Sequence, residues 1–536
     1  MQNDKFAPPP LAMQNDKYPP PIGFTSAPPQ PGYPPQQGYP PQQGYPQHGY
    51  PAHTTPAENY GGPPPPPPQP PVVPPSRVDP PPGCWSRNQK NKPQSNAIGA
   101  AALIFISGGM NIAWAVGFRG PIFYSSTKHN YVAWFIGAII GALISCGLAN
   151  RVAKKFVLLF ASVLVAIGGI IIACTHSNGP ATVAACYLDG IANGLIFAPF
   201  VALAGEVSVA YSRGVLTANF EQVCFGTGFL LQILYVSSWS YSYYTSPNSF
   251  TAENMKGVLS AIYGFLALIF GFWLTIESPV LLLANNDEQG AIDALRRLQK
   301  PAVLSDETYD QLAEHKRYLA HNRDLTVGQS ISQAMPTYIR LGFLRVLNAM
   351  SLSSFVIYTL ALAIYVGHGA SYAQTYYILF AFCRWLGSII PSFCMDCLGR
   401  KKPTAFGLLI AAAMSFAVGS QYNFYSLMSG VTALLFVFEF FAGMAFSATS
   451  SYLSEAFPWK VKQPFIALTF ITEMFVFLII NVCDYNLSQG YNYFYIMGGM
   501  FVAGFILAVT TLPETRLMTL RGAQEQFSRF INMRFN

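Results

Sequence analysis

Charge is scarce in this sequence. Asp, Glu, Lys and Arg make up only 10% of its 536 residues, while 51% are hydrophobic. A soluble domain carries about a quarter charged residues, so a chain this apolar requires lipid as solvent. The net charge of +7 is therefore no nucleic-acid signal, because in a membrane chain basic residues report orientation. The nine cysteines are scattered, mostly within apolar runs. Cys394 and Cys397 form a C-x-x-C with no second pair, which excludes a disulfide framework and a zinc site in favour of helix packing. The histidines show no metal-ligand spacing and no G-x-S-x-G occurs, so no cofactor, metal or enzymatic chemistry is expected. The first apolar run lies too deep for a cleaved signal peptide.

Proline is abundant, and much of it falls in one block. Residues 1–96 repeat Met1-Gln-Asn-Asp-Lys5 as Met13-Gln-Asn-Asp-Lys17, and Pro-Pro-Gln-Gln-Gly-Tyr ends at Tyr39 and again at Tyr45. Proline donates to no ladder, and few bulky aliphatics are available for burial. A disordered cytoplasmic arm with polyproline II stretches is expected. Pro71 to Pro74 gives a P-x-x-P that an SH3- or WW-type module could take; a passive tether is the alternative.

From Ala97 the pattern changes to apolar runs at 97–117, 132–149, 156–175, 181–204, 216–238, 257–276, 343–366, 373–395, 404–420, 427–450, 464–484 and 491–512. Each is near the ~20 residues that cross hydrocarbon, and backbone in lipid must bond to itself, so these runs are read as helices. The expected fold class is an all-α membrane protein. Its first six-helix half spans 97–276, a polar cytoplasmic linker with short amphipathic helices spans 277–342, the second half spans 343–512 and a tail spans 513–536. Alternate short loops hold Arg151, Lys154, Lys155, Arg213, Arg400, Lys401, Lys402, Lys460 and Lys462 on one side, against Arg119, Lys128 and Lys256 on the other. The richer side is cytoplasmic, with both termini. Asn486-Leu-Ser488 is a glycosylation sequon on the outer side.

Five motifs at helix ends resemble the sugar-porter family of the major facilitator superfamily. They are Asp396-Cys-Leu-Gly-Arg-Lys-Lys402, Glu206 with Arg213-Gly214, Tyr452-Leu-Ser-Glu-Ala-Phe-Pro458 with Lys462, Glu277-Ser-Pro279 and Pro513-Glu-Thr-Arg516. The resemblance covers about 97–521 and implies alternating access by two rocking halves. Its gating residues here are Arg151, Glu206, Arg213, Asp396, Arg400, Lys401, Glu455 and Lys462, whose charges can pair to hold the inner face closed. The first-half loop departs from the pattern, with Asn150 and Ala153 where the family has Asp and Gly. Cys186 stands where an Arg is usual.

Polar residues inside apolar runs are candidates for solute contact. On the seventh helix, Asn348, Ser351, Ser354 and Tyr358 fall at helical spacing. The family's glutamine pair, asparagine and tyrosine on this helix fall on Asn348, Ala349, Ser354 and Tyr358. Arg384 and Glu473 occupy positions where hexose porters use Asn, and they are expected to pair with each other. Glu221 and Gln222 both lie near the family's fifth-helix Gln, and the count does not choose between them. Glu439 lies about a turn from the family's tenth-helix Glu.

The expected function is transport of a small polar solute, most simply a sugar, across a plasma membrane. The first helix carries Asn111 and no acid, which favours facilitated diffusion over proton coupling. A carrier of charged organic solutes and a non-transporting receptor acting through the arm are the competing readings.

Overall fold

The computed structural model describes residues 84–120, 122, 124–175, 178–239, 249–369, 373–422, 427–483 and 490–533. Most of the Pro-rich arm, its P-x-x-P and the Asn486 sequon lie outside these residues. Every described element is a helix.

The first half contains α1 (Cys84–Val116), α2 (Lys128–Leu148), α3 (Lys154–Cys174) and α4 (Gly179–Val207). Next come α5 (Arg213–Ala218), a π segment (Asn219–Val223), α6 (Cys224–Ser238) and α7 (Ala252–Leu274). Three short helices follow: α8 (Pro279–Ala284), α9 (Glu288–Arg297) and α10 (Asp306–Arg323). The second half contains α11 (Val327–Ser351), α12 (Ser354–His368), α13 (Ala373–Leu398), α14 (Lys401–Tyr422), α15 (Met428–Phe446) and α16 (Thr449–Ala456). It ends with α17 (Lys462–Val482) and α18 (Gly490–Thr511), and α19 (Leu520–Ser528) lies in the tail.

Eleven stretches among the described residues are long and apolar enough to cross a membrane. The remaining crossing, expected at 216–238, is present as α5, the π segment and α6, whose interruption shortens each piece. Two boundaries differ from the hydropathy reading. The first helix starts at Cys84, so 84–96 are helical and not part of a disordered arm. The seventh crossing starts at Val327, where Thr326 and Gln329 form a capping box that satisfies the first amide groups. Hydropathy misses both extensions because they are polar.

The two halves repeat one packing scheme. In the first, α2 packs on α4, α3 on α7 and α1 on α6; in the second, α13 packs on α15, α14 on α18 and α11 on α17. Small residues bring the backbones close, as where Gly109 of α1 meets the Phe225 carbonyl and Gly228 of α6 meets that of Ile106. Such contacts replace the hydrophobic driving force that is lacking between helices in lipid. The halves join where α2 meets α17 and α6 meets α13. Phe135 stacks on Phe477 at 5.2 Å and Phe197 on Phe470 at 4.1 Å across that seam. Outward-facing Phe156, Phe160 and Trp273 are exposed, as residues bathed in acyl chains would be.

Candidate solute site and gate

A cavity of about 40 Å³ lies on the seam, lined from α1 by Gly109 and Ile112, from the π segment and α6 by Glu221, Gln222, Phe225 and Phe229, and from the second half by Asn348, Arg384, Phe470, Glu473 and Phe477 among others. That space holds a water or two, far below the 300 Å³ or more of a ligand pocket. The site is closed in this structure and must widen to admit a solute.

Two element interruptions aim its polar groups. In a π turn each amide reaches one residue further back than in an α-helix. The segment Asn219–Val223 buries Glu221 and brings Gln222 to the cavity, so both residues left open by the sequence count belong to the site. The second interruption falls at Leu352–Ser353, between α11 and α12. There the Met350 carbonyl accepts from the Tyr493 hydroxyl at 2.7 Å, and Ser353 bonds the same hydroxyl at 2.7 Å. Broken helices in a membrane persist where such partners satisfy the backbone.

Beside the cavity sits a buried ionic cluster. Arg345 forks onto both oxygens of Glu221, at 2.7 and 3.1 Å, and reaches Glu473 at 3.1 Å. Asn348 donates to the other Glu473 oxygen at 2.5 Å and accepts from Arg384 at 2.5 Å. Arg384 also donates to Ser351 at 2.9 Å and to Glu439 at 3.0 Å. Gln222 donates to Glu221 at 2.9 and 3.0 Å. The expected Arg384–Glu473 pair is thus replaced by two pairs, Arg384–Glu439 and Arg345–Glu473, bridged by Asn348. Ser354 is buried at the start of α12 but does not line the cavity, and Tyr358 is 43% exposed. The helical count from Asn348 fails past Ser351 because the helix breaks there.

Arg345 was missed by the sequence reading. It lies three residues before Asn348 and three more before Ser351, a spacing that marks one helix face. Starting the crossing at 343 made it a terminal residue, where a basic side chain snorkels to the headgroups; the helix from Val327 puts it in the interior.

A second polar group lies within the first half. Asp189 accepts from Ser107 at 2.5 Å, Trp134 at 2.8 Å and Asn193 at 3.0 Å. Lys256 donates to Asn111 at 2.7 Å and sits 4.6 Å from the Trp114 ring centroid.

On the face bearing the linker helices, bonds cross the seam repeatedly. Asp396 accepts from the Gly214 and Val215 amides at 3.1 and 3.0 Å, capping α5 from the opposite half. Glu206 takes Lys154 at 2.8 Å from its own half, Lys462 at 3.3 Å from the other, and Ser278 at 2.5 Å. Glu455 holds Arg400 and, at 3.5 Å, Arg213. Gly399 turns there with φ +90°, against the Glu514 carboxylate, which accepts from the Arg400 and Lys401 amides. One gating expectation changes. Arg151 is exposed and makes no ion pair among the described residues, and Lys154 takes its part. The Lys401 ammonium binds the Asn532 carbonyl of the tail.

The linker reinforces this closure. Lys90 of α1 pairs with Glu307 of α10, and the Lys300 amide donates to the Lys90 carbonyl at 3.0 Å. Beneath them, His315 is buried with no hydrogen bond among the described residues, in a space also lined by Arg213. Burial first, and then the Arg213 charge, lower its pKa to about 4. On the opposite face Lys128 donates to the Val482 carbonyl at 2.9 Å, and Phe118 meets Tyr377 edge-on at 5.5 Å.

The sequence model of the family described as Sugar (and other) transporter matches residues 123–527. A protein called Sugar transporter ERD6-like 8, from Arabidopsis thaliana, is 23% identical over 413 residues, spanning 73% of this chain and 82% of that protein. An arabinose-proton symporter of Bacillus subtilis (strain 168) is 22% identical over 407 residues, 72% of this chain and 83% of its own. Among solved structures, the proton:xylose symporter XylE bound to 6-bromo-6-deoxy-D-glucose superposes with a TM-score of 0.67 at 19% identity, covering 81% of this chain and all of that one.

Proposed function

From the premise that this chain belongs to the sugar (and other) transporter family, we propose that it carries a hydroxyl-rich solute, a sugar or close analogue, by alternating access. It is a multi-pass membrane protein of the major facilitator fold and not an enzyme. The observation that carries the reading is the closed cavity on the seam, ringed by Gln222, Asn348, Arg384 and four Phe side chains, with a bonded gate on the linker face. Hydroxyl groups suit such a ring, since each can both donate to a carboxylate and accept from an amide or guanidinium. Aromatic rings supply flat apolar contact.

In this reading Glu221, Gln222, Asn348, Ser351, Arg384, Glu439 and Glu473 form or support the solute site. Glu206, Arg213, Asp396, Arg400, Glu455 and Lys462 hold the gate. The linker face is cytoplasmic, as are both termini, because the basic loops lie there, and the plasma membrane is the proposed location. The arm's proline runs are offered to SH3- or WW-type modules. The buried Arg384 and Glu473 support a second reading, in which the solute is an organic ion.

Counterflow in proteoliposomes with sugars, polyols and organic ions tests both. Gln222 lines the cavity and bonds only its neighbour Glu221 among the described residues. Losing a bond from it to the solute costs about 1 kcal/mol. Gln222→Ala is therefore expected to weaken apparent affinity roughly fivefold while thermal stability holds. Exchange of organic ions alone would replace the sugar reading, and no exchange of any solute would end the transport reading.

A further inference from the structure

The buried cluster does not balance its charges. Among the described residues, Glu221, Glu439 and Glu473 form ion pairs only with Arg345 and Arg384. Three carboxylates against two guanidinium groups leave one negative charge when all are ionised. The first half does not make up the difference, because Lys256 there is offset by Asp189. A net charge sealed from water within a membrane is costly.

Counting bonds to oxygen locates the imbalance. Both Glu221 oxygens receive Arg345 and Gln222. One Glu473 oxygen receives Arg345 and the other Asn348. Glu439 has Arg384 on Oε2 alone, and its Oε1 accepts nothing from the described residues although the side chain is wholly buried. An ionised carboxylate with one oxygen bare is the least supported of the three. Glu439 does not line the cavity, so a hydrated metal ion or a solute ammonium has no way to its Oε1 in the closed form. A proton needs no room.

We propose that Glu439 binds a proton in the closed state and that the carrier moves this proton with its solute. The proposal rests on the transport reading. The proton comes from water at one face, forms an O–H bond on Oε1, and returns to water at the other face; no further reactant is needed. Arg384 couples the two passengers. While Glu439 is ionised, it draws the Arg384 charge to itself. Once Glu439 is neutral, that charge is left for the cavity, where Arg384 already reaches Asn348 and Ser351. Proton and solute then bind with mutual advantage. The lack of an acid on the first helix, which pointed to facilitated diffusion, does not decide the matter, because the acid sits in the other half.

Two measurements on the full-length chain test this. Infrared spectra of the purified protein at neutral pH are expected to show a protonated-carboxyl band that Glu439→Gln abolishes. Its absence from the unaltered protein overturns the proposal whether or not any solute is known. In proteoliposomes, exchange of D-xylose, L-arabinose and D-glucose is measured first, followed by net uptake under a pH difference of about one unit. One proton per sugar sets an accumulation limit of about tenfold. Glu439→Gln is expected to reach a ratio of one whatever its exchange rate. Exchange without accumulation, accumulation driven by a sodium gradient, or voltage-driven uptake of D-glucosamine with no proton movement would each overturn proton coupling. If none of the sugars exchanges, the sugar reading fails and the infrared band alone decides the proton site.

Discussion

Replacing Arg345 by Met keeps a chain of similar reach and removes one charge. The substitution deletes three bonds, at 2.7, 3.1 and 3.1 Å. It leaves Glu221 and Glu473 buried without their cation; both side chains are under 5% exposed. Removing one member of a buried pair costs about 3–5 kcal/mol, chiefly because the abandoned charge stays buried. That is a large share of any domain's net stability. The cause can be separated from lost packing. In Arg345→Met/Glu221→Gln/Glu473→Gln the shapes are nearly kept and no charge is stranded, so most of the loss should return. The two carboxylates should also differ. Glu221 belongs to the first half, so Glu221→Gln loosens the seam, whereas Glu473→Gln loosens α11 from α17 within the second half. Thermal unfolding of detergent-purified protein, followed by intrinsic fluorescence, reads all four variants. A triple variant less stable than Arg345→Met, or a single variant within about 0.5 kcal/mol of the parent, would refute the account of stranded charge.

Glu206→Gln should weaken the gate, because one carboxylate serves Lys154, Lys462 and Ser278. A cysteine placed at buried Ser454 would then label several-fold faster with a maleimide applied from the linker face, and unchanged labelling would contradict a gating role. His315 predicts a pH dependence. Its folded pKa of about 4 lies below the unfolded value of about 6.5, so the unfolded chain binds the extra proton. The stability it contributes is complete above pH 6.5 and declines as pH falls toward 4. The loss should be on the order of 2 kcal/mol by pH 5, read as faster proteolysis within the linker and flattened by His315→Gln.

Much of this architecture was legible in the sequence, for a physical reason. Hydrocarbon imposes a length and a composition on every crossing, so the apolar runs announced themselves, and the charged motifs marked the gate. Single polar residues in those runs, Glu221, Arg384, Glu439 and Glu473, stood out on the same ground. Their pairing did not. Which Arg serves which Glu depends on how helices far apart in sequence rotate against each other, and Arg384 met Glu439, not Glu473. The break at Leu352–Ser353 carries neither Pro nor Gly to announce it, so Ser354 was assigned to a face that the helix no longer presents. The polar starts of α1 and α11 escaped a reading built on hydropathy, and with the second of them went Arg345.

The π segment has a consequence for comparing such chains. A π turn accommodates one residue more than an α turn, so Asn219–Val223 amounts to a single-residue insertion in the fifth crossing. A gap-free alignment to a relative with a plain α-helix is in register on one side of it and off by one on the other. Glu221 and Gln222, which both lie near the position of one family glutamine, fall inside this segment. Deleting a residue here would turn everything beyond it by about 100°. A survey that asks which relatives share this polar core should therefore allow a gap at this point before concluding that Glu221 is absent.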